Sequence, residues 1–206
     1  MKTPMNFAHR LLAVLAAITL AAAATSASAQ ASLSVYGGYV GSDGIDNATT
    51  DTRADLGNAG SFMLVLGTDL DAARELQMQF AQQSSTLTPG GGATPFDLTV
   101  RYLHAGGTVF VSPPIGHGIY AVGGLGVTQF SPGTDGYGDE YKPSLNLGFG
   151  YSWPVSDRVL LRAEARAFLT LVNSSGGFMC SGGCVAVLKS DLFTQYGGFL
   201  GVTVRF

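Results

Sequence analysis

The chain has 206 residues, of which 29 are glycine, with 46% hydrophobic and only 12% charged residues and a formal net charge of −3. A chain of this length is one domain by the usual size rule, and with no basic surplus or basic cluster it carries no nucleic-acid footprint. Beyond an N-terminal leader, no stretch reaches the roughly 18 uninterrupted apolar residues of a membrane-spanning helix.

The leader comes first. Lys2, His9 and Arg10 precede an uncharged run from Leu11 to Ala24, followed by Thr25-Ser26-Ala27-Ser28-Ala29. A basic start, a short apolar run and an Ala-x-Ala site predict a secretory signal peptide over 1–29, cleaved after Ala29. The alternative, a retained anchor, needs about 20 apolar residues. The remaining domain, 30–206, loses Lys2 and Arg10 of the eleven basic residues, leaving nine against fourteen acidic ones, a net of −5.

From Ala31 onward the pattern has period two, which predicts strands over 31–41, 61–69, 73–83, 96–111, 119–130, 143–153, 158–172 and 193–206. Two of these segments, 71–83 and 157–172, are rich in Ala, Leu, Glu, Arg and Gln and would be helices by propensity. Phase decides otherwise. Leu76, Met78 and Phe80 alternate with Glu75, Gln77 and Gln79, and Leu161, Ala163, Ala165, Ala167 and Leu169 alternate with Arg162, Glu164 and Arg166. Strand geometry gathers each apolar set on one face, and helical geometry scatters it. The gaps alternate between long (42–60, 84–95, 131–142, 173–189) and short (70–72, 112–118, 154–157). The abundant glycine suits a strongly curved sheet.

Aromatics fall near the strand ends. Phe110, Tyr120, Tyr151, Trp153 and Phe206 lie toward the short-gap end, and Tyr39, Phe62, Phe130 and Phe193 toward the other, as two girdles around an apolar band would require. Val35-Tyr36-Gly37-Gly38-Tyr39 in the first strand echoes Gln195-Tyr196-Gly197-Gly198-Phe199 in the last, so aromatics covering glycines are expected where those strands meet. Cys180 and Cys184 follow a leader and sit in a Gly/Ser-rich gap, so a disulfide closing a small loop is expected, with free thiols as the alternative. The chain ends on an alternating strand, with Tyr196, Leu200, Val202, Val204 and Phe206 in one phase.

These features resemble the small outer-membrane β-barrels of the OmpA/OmpX type. The resemblance rests on the terminal Phe206 and its phase, on Tyr120-Ala-Val-Gly-Gly-Leu-Gly126, and on the loop asymmetry, and it covers the whole of 30–206. It implies an all-β, eight-stranded, antiparallel, up-and-down transmembrane barrel, monomeric and resident in the outer membrane. Its partners would be membrane lipid and lipopolysaccharide, with periplasmic chaperones and the barrel-assembly machinery reading the C-terminal signal during biogenesis.

In such a barrel the phase opposite the apolar one faces inward. That phase is expected to hold Glu75, Gln77, Gln79, Asp97, Thr99, Arg101, Arg162, Glu164, Arg166 and Arg205, because a basic side chain on the lipid face at midplane costs about 2–4 kcal/mol. Desolvated charges must pair. Glu75 and Glu164 are therefore expected to bridge Arg101, Arg162 and Arg166, with Asp97 in the same luminal set, either as a plug or as a gate. Nothing in the sequence asks for a cofactor or a metal. An enzyme is not expected: His104 has no serine close in sequence and His117 lies in a short gap. The acidic external gaps, with Asp43, Asp46, Asp51, Asp55, Asp135, Asp139 and Glu140, leave two functional readings. One is an envelope-structural or surface-interaction protein working through its loops. The other is a narrow channel, or a conduit for small hydrophobic molecules, with a charged luminal gate.

Overall fold

The computed structural model describes residues 30–42, 45–46, 53–88, 94–133, 138–172, 178–180, 184–186 and 192–206. The leader expected over 1–29 lies outside the described residues. The strands in chain order are β1 (Ala31–Ser42), β2 (Ile45–Asp46), β3 (Arg53–Leu56), β4 (Ala59–Asp69), β5 (Arg74–Thr88), β6 (Phe96–Phe110), β7 (Gly118–Pro132), β8 (Glu140–Pro154), β9 (Val159–Leu171), β10 (Phe178–Cys180), β11 (Cys184–Ala186) and β12 (Leu192–Arg205). Among the described residues there is no helix.

Eight strands (β1, β4 to β9, and β12) pair antiparallel with their chain neighbours, and β12 pairs back onto β1, closing the barrel. Closure removes the exposed edges that an open sheet would carry. All eight predicted strands are present, including the two with helical composition. Several run further at the long-loop end: β5 reaches Thr88 and β8 starts at Glu140. There, as in Ser84-Ser85-Thr86, polar residues occupy both phases, so alternation gives no signal.

The seam shows why the first and last strands echo each other. Tyr36 pairs with Gly201 and Gly38 with Phe199. A Cβ on Gly201 would sit 2.6 Å from Tyr36 Cγ, and one on Gly197 would sit 2.6 Å from Phe199 Cε2, so each ring lies flat over a bare backbone. At the short-turn end, the backbone N–H of Phe206 donates to the Ala31 carbonyl at 2.9 Å.

The outer wall carries Leu33, Val35, Leu64, Leu66, Leu76, Met78, Leu103, Ile119, Leu125, Val127, Leu147, Phe149, Leu161, Leu200 and Val202, all exposed. This is the apolar band of a membrane barrel. Its lower edge bears Trp153 tilted against Tyr151, with centroids 4.5 Å apart, and Phe206; its upper part bears Tyr39 and Phe62. The other four aromatics assigned to the girdles are corrected by the structure. Phe110, Tyr120, Phe130 and Phe193 have the expected height but point inward and are buried. Position along a strand sets height, whereas parity sets the face.

The interior has two chemistries. The half toward the long loops is apolar, with Val40, Met63, Leu87, Leu98, Val100, Phe130, Phe168, Val172 and Phe193 forming one cluster. Tyr102 stacks on Phe168 at 4.5 Å, and Phe130 meets Phe193 edge-on at 5.7 Å. The half toward the short turns is polar and charged, closed underneath by Phe110, Ile115, Tyr120 and Val122. The turn over 111–117 folds under the barrel and buries Ile115. Its backbone is tied to Ala72, and its carbonyl accepts from Arg205 at 3.4 Å.

Candidate functional site

The luminal network starts from β9, whose inward phase is Arg162, Glu164 and Arg166. β9 and β5 stand opposite each other in the eight-membered ring, so contacts between them cross the full lumen. Arg162 Nη2 donates to both Glu75 oxygens at 3.1 and 3.2 Å. Four residues up both strands, Arg166 Nη1 donates to Gln79 Oε1 at 2.5 Å. The lumen is braced wall to wall twice.

Glu164 lies between the braces. Its Oε1 accepts from the Tyr36 and Tyr120 hydroxyls, each at 2.7 Å, and its Oε2 accepts from Arg166 Nε at 2.5 Å. Tyr36 comes from β1 and reaches Glu164 because Gly201 lets its ring lie flat. Tyr120 comes from β7 across Gly150, where a Cβ would stand 2.6 Å from its hydroxyl oxygen. Arg166 Nη1 also reaches Asn146 Oδ1 on β8 at 3.2 Å. Arg162 lies 5.5 Å from the Phe110 centroid and 5.4 Å from that of Tyr120, within cation–π range.

The network therefore ties five staves together, and its charges cancel: two arginines against two glutamates. Arg162 is 1% exposed and Glu75 likewise 1%. Burial at this level is tolerable only with such pairing, because an unpaired buried charge costs several kcal/mol. A second, smaller pair, Arg205 Nη2 to Asp69 Oδ2 at 2.5 Å, sits at the short-turn mouth.

Of the expected luminal set, the structure brings together Glu75, Arg162, Glu164 and Arg166, and it places Asp97 and Arg101 elsewhere. β6 presents Leu98, Val100, Tyr102 and His104 inward, and Asp97, Thr99 and Arg101 outward. The correction has a physical reason. The rule that charge points inward holds only at the height of the apolar band, and Asp97 and Arg101 lie above it. Tyr196, Leu200, Val202, Val204 and Phe206 all face outward along β12. Cys180 and Cys184 occupy directly opposite positions in the β10–β11 ladder; their side chains lie outside the described residues.

Sequence reasoning missed Tyr36, Tyr120, Asn146 and one further pair. His104 Nε2 lies 2.9 Å from Ser144 Oγ, although the two are 40 residues apart. Both are buried in the lumen, with Tyr102 against the His104 ring at 5.7 Å, so neither faces the lipid side where an acyl substrate would lie. Beside them is a cavity lined by Gln79, His104, Asn146 and Arg166, with about 10 Å³ for the centre of a water molecule, room for a single one. Gln79 Nε2, His104 Nδ1 and Arg166 Nη2, all without protein partners, are the groups such a water would serve.

No protein-family model matches the sequence, and no curated protein matches it either. Solved structures do share the fold. Neisserial surface protein A aligns with a TM-score of 0.55 at 13% identity over 87% of this chain and 98% of its own. The attachment invasion locus protein Ail of Yersinia pestis, in complex with the heparin analogue sucrose octasulfate, aligns with a TM-score of 0.50 at 16% identity over 86% and 99%. The chain has the closed eight-stranded fold of the small outer-membrane barrels.

Proposed function

We propose that the protein is a monomeric, non-enzymatic barrel of the outer membrane whose lumen is a structural plug and whose work is done by its external loops, in envelope structure or surface interaction. The observation that carries this reading is the double brace across the lumen, Arg162–Glu75 and Arg166–Gln79, capped by an apolar core above and Ile115 below. An interior whose charges are paired from wall to wall and capped at both ends favours a plug, and so points to the loops as the place of function. Biogenesis would use the leader at 1–29, periplasmic chaperones and the assembly machinery, the last reading the outward phase that ends at Phe206. In the fourth external loop, directly opposite positions of an antiparallel pair hold Cα atoms about 4.5–5.5 Å apart, within disulfide range, which supports a Cys180–Cys184 bond that stiffens a hairpin.

The first external loop is acidic, with Asp43, Asp46, Asp51 and Asp55 around a single Arg53, and the third carries Asp135, Asp139 and Glu140, so the expected partner of these two loops is not a sulfated polyanion of the kind that Ail holds. The test is to shorten each external loop separately. A loop whose removal abolishes adhesion to cells or matrix while the barrel still inserts and shifts on heating carries the function. Loss of no surface phenotype with any loop would remove this reading. The channel reading draws on one observation, the water-sized cavity beside Arg166, and requires the braces to part.

A further inference from the structure

Inside the barrel, beside the upper brace, lies a small space whose wall is rich in hydrogens. Its room comes from β6 and β7, which present Gly106 and Gly124 inward, directly paired in register, so two staves carry no side chain at that height. Gln79, His104, Asn146 and Arg166 close the space from β5, β6, β8 and β9. Glycine at such a place leaves room for something to approach the backbone closely.

Three side chains at this wall are at least nine-tenths buried and carry a nitrogen with no partner among the described residues. They are Gln79, His104 and Arg166, which are 3%, 1% and 3% exposed. Arg166 spends Nε on Glu164 Oε2 and Nη1 on Gln79 Oε1 and Asn146 Oδ1, which leaves Nη2 over. Gln79, having given its oxygen to that bond, leaves Nε2 over, and His104, with Nε2 against Ser144 Oγ, leaves Nδ1 over. Arg166 Nη2 and Gln79 Nε2 carry two hydrogens each and can only donate. His104 Nδ1 donates as well when the Ser144 hydroxyl donates to Nε2. The side-chain carbonyls at this wall, Gln79 Oε1 and Asn146 Oδ1, already accept from Arg166. A water here would bring two more hydrogens to a wall short of acceptors, whereas an anion brings only acceptor capacity.

We propose that this space is a binding site for a single monatomic anion, of which chloride is the common one, held by Arg166 Nη2, Gln79 Nε2 and His104 Nδ1–H. It has room for one water-sized occupant, so a halide fits and sulfate, phosphate or an organic carboxylate does not. Hydrogen bonds in which both sides are charged are the strong ones, and Arg166 supplies the cation. The one carboxylate on Arg166 is Glu164, whose charge is shared with the Tyr36 and Tyr120 hydroxyls, so the guanidinium is not fully spent on it. The anion joins β5, β6 and β9 at one centre and completes the upper brace.

The test is urea unfolding of the full barrel in vesicles while sodium gluconate is replaced by sodium chloride at constant ionic strength. Gluconate is too large for the space. For wild type the unfolding constant should fall about tenfold for each tenfold rise in chloride above the dissociation constant. Gln79→Glu keeps an oxygen toward Arg166 and puts a second carboxylate oxygen where the donor stood, so it supplies the anion from the chain itself. This variant should unfold alike in gluconate and in chloride. Chlorine anomalous scattering from wild-type crystals, which needs no variant to fold, should show one peak within hydrogen-bond range of Arg166 Nη2 and Gln79 Nε2. Wild type that is indifferent to chloride overturns the proposal and makes the occupant a water. Full chloride dependence in a folded Gln79→Glu overturns it by placing the effect elsewhere. An anomalous map without that peak overturns it too, and a peak without chloride-dependent stability is an adventitious ion only and does the same.

Discussion

On β5 to β7 the barrel is two different proteins stacked end to end. Below the Gln82–Arg101–Gln129 row the wall is apolar outside and ionic inside; above it the wall is Ser, Thr and Asp outside while the interior is Leu87, Leu98, Val100 and Phe130. The upper part obeys the rule of a soluble barrel and the lower part that of a membrane barrel, within single continuous strands. The same fifteen-residue β6 therefore uses one phase for Val100 and His104 and the other for Arg101 and Leu103. What differs is the solvent at each height, and the side chains follow it.

The sharpest way to break the comparison is to unbalance the lower interior. Glu75→Ala leaves Arg162 charged, buried and unpaired, and should cost about 3–5 kcal/mol in urea unfolding from vesicles. Glu75→Ala combined with Arg162→Met should recover a large part of that. Equal losses in the single and the double variant would mean that the pair is not the source.

On the outer wall the two regions should respond oppositely to the same change. Leu125→Arg, in the apolar band, is expected to cost about 2–4 kcal/mol, and Gln129→Arg, four residues up the same strand, about 0–1 kcal/mol. Similar costs at both positions would place the boundary elsewhere. A smaller effect is expected for Gly150→Ala. Its methyl would meet Tyr120 and push the hydroxyl from Glu164, at about 1–3 kcal/mol.

The smallest effect belongs to the short turn below both regions. Asp71 accepts from the Arg74 side chain and from the Ala73 and Arg74 amides, which hold its carboxyl below the ordinary value of 3.8. A depressed folded value means the contribution is present above that ordinary value and is lost as pH falls through the depressed one. Asp71→Asn should therefore lower stability slightly at neutral pH and leave it unchanged in acid, flattening the acid dependence, as read by unfolding across an acid pH series.

Much of this architecture was legible in the sequence, and the failures share one cause. Period two located all eight staves, and parity overrode helical composition correctly in β5 and β9, where the apolar phase runs unbroken past the charges. In β6 both phases carry apolar residues, Leu98 and Val100 in one and Leu103 and Val109 in the other, so the charges Asp97 and Arg101 decided the face and decided it wrongly. The four inward aromatics misled in the same manner. Tyr36 and Tyr120 on Glu164, and His104 beside Ser144, depend on which strands stand opposite or adjacent in the closed ring, and no local pattern records that.

The central claim is that the lumen is a braced plug. Single-channel recording of the refolded protein in planar bilayers tests it most directly. The account predicts an electrically silent membrane for wild type after a heat-dependent gel shift has shown a closed barrel. A steady small conductance that changes in Glu164→Gln would contradict it and make the network a gate.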